Sequence, residues 1–345
     1  MERKLASIQK IKNIRSIEKA DRLEKANVEA FQVVVPKGVY KENDLVVFFE
    51  ADSFLPVEDR FAFLSSSLKE NEIMGKGYRI KVQKIRGEIT HGLVMKLSDF
   101  PEINDGVVGL DVTDILNIKK WDMSKEEKIT GKGVEKPWFI PTTDETRIQA
   151  EMELLNELYG RNYYISTKID GMSVTMYVKD GEFGITSRKI SIPEDKNNSI
   201  WKYAMKNNIK NKLTGLSEKT QMDYIIQGEF AGPKIQNNHL GLKDFKWFVF
   251  NVFAGKNDVD MKMLNLDEMV NITNILDVNT VPVELIGTDF NSTLEDLYKA
   301  ASGNYTNGHP KEGIVIRPTE PIFSDKLQKE LSFKVLNDEY WAKER

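Results

Sequence analysis

Tyr163-Tyr164-Ile165-Ser166-Thr167-Lys168-Ile169-Asp170-Gly171-Met172-Ser173-Val174-Thr175-Met176-Tyr177-Val178 is the stretch on which the reading of this chain turns. Two runs of strand composition, 163–166 and 173–178, flank the pentapeptide Thr167-Lys168-Ile169-Asp170-Gly171. β-Branched and aromatic residues fill both runs, as a pleated and half-buried surface requires. Between them stands a lysine, with a carboxylate two residues on and then a glycine. A lysine so placed suits a covalent nucleophile, but an amine attacks only when neutral. Its pKa must then be lowered by burial, by neighbouring cations or by a metal. Asp170 is placed to orient the lysine or to help hold a cation, and Gly171 lets the backbone turn without a Cβ clash. Such a tetrapeptide also arises by chance in surface hairpins, so its meaning depends on the rest of the chain.

Downstream come Thr186-Ser187-Arg188, Gln227-Gly228-Glu229-Phe230-Ala231-Gly232-Pro233, Trp247-Phe248-Val249-Phe250-Asn251, Glu312-Gly313-Ile314-Val315-Ile316-Arg317 and Leu331-Ser332-Phe333-Lys334-Val335. In this order they resemble the collinear motifs of the covalent nucleotidyltransferases: ATP-dependent RNA ligases, DNA ligases and mRNA capping enzymes. The phrase from Gly228 to Gln236 is similar to RNA ligases in particular. The resemblance spans residues 160–340 and implies ATP as the nucleotide, with Lys168 forming a lysyl-adenylate. It implies nucleotide contacts from Thr167, Lys168, Asp170, Arg188, Glu229, Phe250, Glu312 and Lys334. Phe250 is the aromatic that stacks on adenine, Arg188 meets the ribose or an incoming phosphate, and Lys334 neutralises the α-phosphate. Asp170, Glu229 and Glu312 are oxygen donors of the type that holds the water shell of Mg²⁺ or Mn²⁺. The two glutamates divide between ribose and metal in a way the resemblance leaves open. In one place the chain departs from the pattern. The superfamily usually has K-x-K where this sequence has Ser332-Phe333-Lys334, with Lys326 and Lys329 nearby.

The chain has 345 residues, 40% of them hydrophobic, enough for two domains with real cores. The net charge of −4 gives no global basic signature, so contact with nucleic acid must come from local patches. Cysteine is absent, which excludes disulfides and cysteine-liganded zinc and suits a cytoplasmic location. Three histidines, His91, His239 and His309, are far apart in sequence and make a histidine metal cluster a poor reading. The amino terminus leads into no long apolar core and no run reaches membrane-spanning length, so neither signal peptide nor membrane partner is expected.

Working outward from the motifs, residues 1–118 read as strands with glycine turns: 28–35, 44–50, 78–86 and 92–97. A small barrel of the OB type accounts for them best. Residues 75–86 carry five basic residues and no acid. With Arg79, Lys81 and Gln83 on one strand face, Arg79, Lys81, Lys84 and Arg86 form either a phosphate-tracking stripe or a solvated face. Residues 119–145, rich in Lys, Glu, Gly and Pro, read as a linker. Residues 146–345 read as an α+β nucleotidyltransferase (ATP-grasp-like) domain of antiparallel sheets with flanking helices. It opens with a helix over 146–158 that Gly160 ends, and Asp180-Gly181 makes a hairpin turn. Capping boxes at Asn265/Glu268 and Ser292/Glu295 open two further helices.

Domain order narrows the resemblance. DNA ligases and capping enzymes place an OB domain after the last motif, and the eleven residues after Lys334 cannot build one. A barrel placed first resembles the fifth RNA ligase family, the Naegleria-type enzymes. That resemblance implies a monomeric ATP-dependent RNA ligase acting on a nicked duplex RNA or RNA/DNA hybrid with RNA on the 3′-hydroxyl side. A ligase of single-stranded RNA or of DNA, and a catalytically dead nucleic-acid-binding protein, are the alternatives. The intact set Lys168, Asp170, Glu229, Glu312 and Lys334 weighs against the last.

Overall fold

A computed structural model describes residues 3–71, 74–121 and 134–343. The chain divides into two compact units, residues 1–123 with 338–345, and residues 124–337.

In the first unit five antiparallel strands follow the order Gly92–Lys96, Leu45–Glu50, Ala6–Ser16, Leu23–Val28, Phe31–Pro36. The two edge strands come together. His91 N donates to Gln32 O at 2.9 Å, and Val34 N donates to Thr90 Oγ1 at 3.2 Å. The sheet therefore curls towards closure, which leaves fewer exposed edges. Alternate residues such as Ile8, Val47, Phe49 and Met95 point inward to a core with Leu55, Phe61 and Phe100. This is the OB-type barrel that the strand spacing predicts.

Two of the expected strands are broken. Residues 28–35 are interrupted after Val28, where Glu29 adopts φ 52° to make the turn into Phe31–Pro36. Residues 78–86 split into Gly75–Arg79 and Gln83–Ile85. Polar–apolar alternation runs through the second break, so it did not mark it. The longest strand of the unit, Ala6–Ser16, gives only a weak period-2 signal.

The second unit has two sheets. One orders Thr146–Arg147, Phe333–Leu336, Gly313–Pro318, Tyr163–Lys168 and Val283–Gly287. The other orders Glu182–Ser187, Met172–Lys179, Asp223–Ala231, Lys246–Gly255 and Lys262–Met263. Both are antiparallel apart from two short parallel pairs. Ser199–Lys206, Ile209–Thr220 and Leu266–Leu276 cover one face of the second sheet through Val174, Met176, Ile226 and Trp247. Leu294–Ala301 covers the first sheet through Ile165, Ile314, Ile316 and Val335. Side chains alternate across a strand, so Lys168, Val315, Arg317 and Lys334 lie on the opposite face of that sheet.

The helix expected over 146–158 is instead a two-residue strand, a 3₁₀ turn at Ile148–Ala150 and a short helix Leu154–Leu158. Pairing with the Phe333–Leu336 strand wins at Thr146–Arg147. Leu154 and Leu158 are the buried residues of the short helix. The capping box at Asn265/Glu268 is present, and the second lies one residue later, at Thr293/Asp296. Of the segment read as a linker, 122–133 lie outside the described residues. The part from 134 to 145 is hydrogen-bonded along its length: Lys136 N to Lys189 O, Ser191 N to Val134 O, and Gln227 Nε2 to Pro141 O.

Candidate active site

Lys168 ends its strand rather than standing in a turn, and it pairs with Gly313 on the neighbouring strand. That register sets Glu312 beside it. Gly313 has φ 150°, and a Cβ there would lie 2.2 Å from Val335 O, so a glycine is required where the strands close up. Gly171 serves a similar need. Its φ is ordinary, but a Cβ would come within 2.6 Å of Phe230 O and 2.9 Å of Glu229 Cγ, and the close approach of the Glu229 strand explains the glycine.

The Lys168 Nζ donates to Glu312 Oε2 at 2.7 Å. Burial opposes the lysine's charge, but Glu312, Glu229 and Asp170 outweigh it and raise its pKa. This reverses the lowering that a nucleophile requires. The physical reason is the convergence of three carboxylates on one ammonium. Glu229 responds in turn: burial, reinforced by Glu312 and Asp170, pushes its carboxyl up to about 8 against Lys168 and Arg188. Glu312 is also pushed up by burial, with Lys168 opposing.

Three carboxyl groups converging on one lysine are a hard-oxygen donor set, which fits a divalent cation that keeps its waters. Among the described residues no group of three His, Asp or Glu forms a ready-made cage. Asp170 Oδ2 has no aligned hydrogen-bond donor, although His239 Nδ1 stands 2.8 Å away. The His239 ring stacks on His309 at 4.2 Å, so two histidines far apart in sequence meet beside Asp170.

Tyr305 ties the site together. Its hydroxyl donates to Lys168 O at 2.8 Å and accepts from Asp170 N at 3.2 Å and Glu312 N at 3.1 Å. Burial raises its pKa, with Glu312 the next cause, so it stays protonated and can donate. No motif marks this tyrosine in the sequence.

On the facing sheet the register slips at Gln227/Gly228, leaving Phe250 as an extra residue opposite no partner. Such a bulge re-aims side chains. Trp247, Val249, Val252 and Ala254 all join the helix-side core, so Phe250 and Asn251, on either side of the slip, both face the other way. Phe250 is half-buried, and the Arg317 guanidinium lies 5.9 Å from its ring centroid.

Lys334 is half-buried on the face shared with Arg317. Beside it, Glu145 is half-buried and accepts from Arg317 Nη2 at 2.6 Å and from Ser332 Oγ. Burial would raise the Glu145 carboxyl, but Arg317, Lys329, Ser332 and Lys334 hold it below its ordinary value. Lys329 Nζ is 3.8 Å from the Glu145 oxygen that Ser332 uses. Lys326 is turned instead to Glu151 and Glu153, at 2.8 and 2.5 Å. Of the two neighbouring lysines, Lys329 is therefore the one that shares a carboxylate with Ser332.

The remaining predicted residues are scattered. Arg188, half-buried, reaches Asp144 at 3.4 Å and acts on Glu229 through its charge. Thr167 donates to Glu284, which also holds Lys311 through both oxygens, on the side of the strand away from Lys168. In the first unit Arg79 is engaged by Asp52 at 3.5 Å and by the Trp121 ring at 5.3 Å. Lys81 is half-buried, while Lys84 and Arg86 are exposed. The strand break puts 79 and 83 on different strands, so the expected single stripe is not formed.

Comparison with known proteins decides the family. A family described as RNA ligase matches residues 161–336, and an OB-fold domain family matches residues 5–97. The chain belongs to the RNA ligase family. It is also similar to solved structures of the Naegleria gruberi RNA ligase. The form with PPi has a TM-score of 0.87 and 29% identity over 99% of each chain. A mutant with ATP and Mn gives the same figures. A second mutant with AMP and Mn does so too. No curated protein sequence matches the chain. Among the described residues no helix of this RNA ligase is long and apolar enough to cross a membrane.

Proposed function

We propose that this ATP-dependent RNA ligase seals nicks in duplexes whose 3′-hydroxyl strand is RNA, acting through Lys168 as a single chain. The observation that carries the chemistry is the convergence of Glu312, Glu229 and Asp170 on Lys168, with the Lys334 charge acting on Glu312. The Naegleria gruberi structures with ATP, AMP, PPi and Mn agree with this reading.

Asp170, Glu229 and Glu312 are the residues that would hold a divalent cation, which when bound neutralises phosphate charge and the carboxylates that keep Lys168 protonated. Phe250 stacks on the adenine and fixes its plane. Lys334 faces the α-phosphate as a preorganised cation. Lys168 gives up its ammonium proton, the amine attacks the α-phosphorus, and a nitrogen–phosphorus bond forms as the bond to the β-phosphate oxygen breaks and pyrophosphate leaves. The AMP then passes to an RNA 5′-phosphate, and a 3′-hydroxyl attacks that activated phosphate, releasing AMP. Lys84 and Arg86, exposed on the barrel, and Lys81 contribute phosphate contacts to the duplex, while Arg79 supports them from its pair with Asp52.

The preference for strand type is tested with four nicked duplexes, RNA or DNA on each side. Changing the 3′-hydroxyl strand to DNA should impair sealing much more than changing the 5′-phosphate strand, since 2′-hydroxyls and helix shape distinguish RNA. Equal sealing of an all-DNA nick would place the protein with DNA ligases in activity.

A further inference from the structure

Around Asn251, the residue after Phe250, the second unit has a cavity of about 400 Å³, large enough for a small ring system. Phe139, Phe253, Met261, Met263 and Phe323 give it apolar walls, and Asn251 is one of its polar groups. Ser332 and Glu145 line it, and Glu145 pairs with the Arg317 that lies over Phe250.

Asn251 is 7% exposed, and its Oδ1 has no hydrogen-bond partner among the described residues. The two ends of a side-chain amide differ only in what they bond, and here the chain of bonds fixes them. Pro141 O can only accept, so Gln227 must present Nε2 to it, at 2.9 Å. Gln227 Oε1 then faces Asn251 and demands Nδ2, at 3.0 Å. The Asn251 oxygen is left over as a buried acceptor. Leaving an acceptor buried and unmet is costly, and native structures keep such groups rarely. The bulge puts Asn251 on the same face of the sheet as Phe250, the face on which a stacked base would lie.

We propose that Asn251 is the nucleobase specificity residue: its Oδ1 accepts a hydrogen bond from the exocyclic amine of a 6-aminopurine held against Phe250. This rests on the nucleotide reading of the cleft given above. Gln227 and Pro141 act through Asn251, as positioning residues that hold its amide the right way round. A purine without the amine leaves the oxygen unmet, and a 6-oxo purine sets one acceptor against another.

The test compares ATP with purine riboside triphosphate, which lacks only the amine, in labelling of Lys168 under single-turnover conditions. Wild-type enzyme should favour ATP by about 10-fold or more in kcat/KM. In Asn251→Ala and Asn251→Leu the preference should fall to near one, mainly through slower use of ATP. The ratio is taken on one preparation, so loss of folded protein cancels from it. An unchanged ratio in both variants, with Lys168 still labelled, overturns the proposal. Absence of label from either nucleotide in wild type overturns the nucleotide reading instead.

Discussion

Replacing Tyr305 by Phe removes one oxygen and keeps the ring packed with Ile169, Ala231, Phe248 and Val281. That oxygen makes three hydrogen bonds, to Lys168 O, Asp170 N and Glu312 N. A net value of about 1 kcal/mol for each gives about 3 kcal/mol lost if none is replaced. For a unit of this size, that corresponds to a fall in Tm of roughly 6–12 °C. The larger consequence is for the reaction. The hydroxyl sets Asp170 and Glu312 around the lysine, and a displacement near 1 Å can cost about 100-fold in rate. Self-adenylylation of Tyr305→Phe should therefore slow by about 10- to 100-fold at saturating ATP, with a smaller change in KM. The assay is single-turnover labelling with α-labelled ATP, run well below the variant's melting temperature. Adenylylation at the wild-type rate in a variant that melts early would refute the reasoning, since the hydroxyl would then serve stability alone.

Phe250→Ala should raise the KM for ATP by about 10-fold with kcat little changed, because stacking is mostly uniform binding; steady-state kinetics checks it. Lys329→Ala should slow adenylylation by about 10-fold and Lys326→Ala should not, since only Lys329 reaches the carboxylate shared with Ser332. Single-turnover labelling of the two variants side by side decides it. Lys81→Ala with Lys84→Ala should weaken RNA binding and lower its salt slope by about 2, which titrations at several salt concentrations would show.

The motif strands were legible because each of them is a compact apolar run beside charged residues that have no packing reason to be there. Lys168, Glu229 and Glu312 were grouped in one site by the resemblance of the ordered segments, not by any one segment alone. Tyr305 and Glu145 were not legible. Each acts from a connecting segment, one on three backbone groups and one on cations from three strands, and neither leaves a periodic mark. The bulge at Phe250 was hidden because Val249 and Val252 keep the run apolar on both sides of the slip. The helix assigned to 146–158 failed because apolar spacing at 148, 152 and 155 suits a helix. The pairing of Thr146 and Arg147 with a strand far later in the chain is invisible locally. The raised pKa of Lys168 shows a different limit: the sequence names the charges, while only their convergence tells which way they push.

The central claim is that Lys168 is the residue that takes AMP. Wild-type protein incubated with α-labelled ATP and Mg²⁺, then denatured, should carry label in a bond that survives base and is cleaved by acid, as a phosphoramidate is. Chelating the metal, or Lys168→Ala, should remove that label. Label on Lys168→Ala at the wild-type level would contradict the account and move the nucleophile elsewhere.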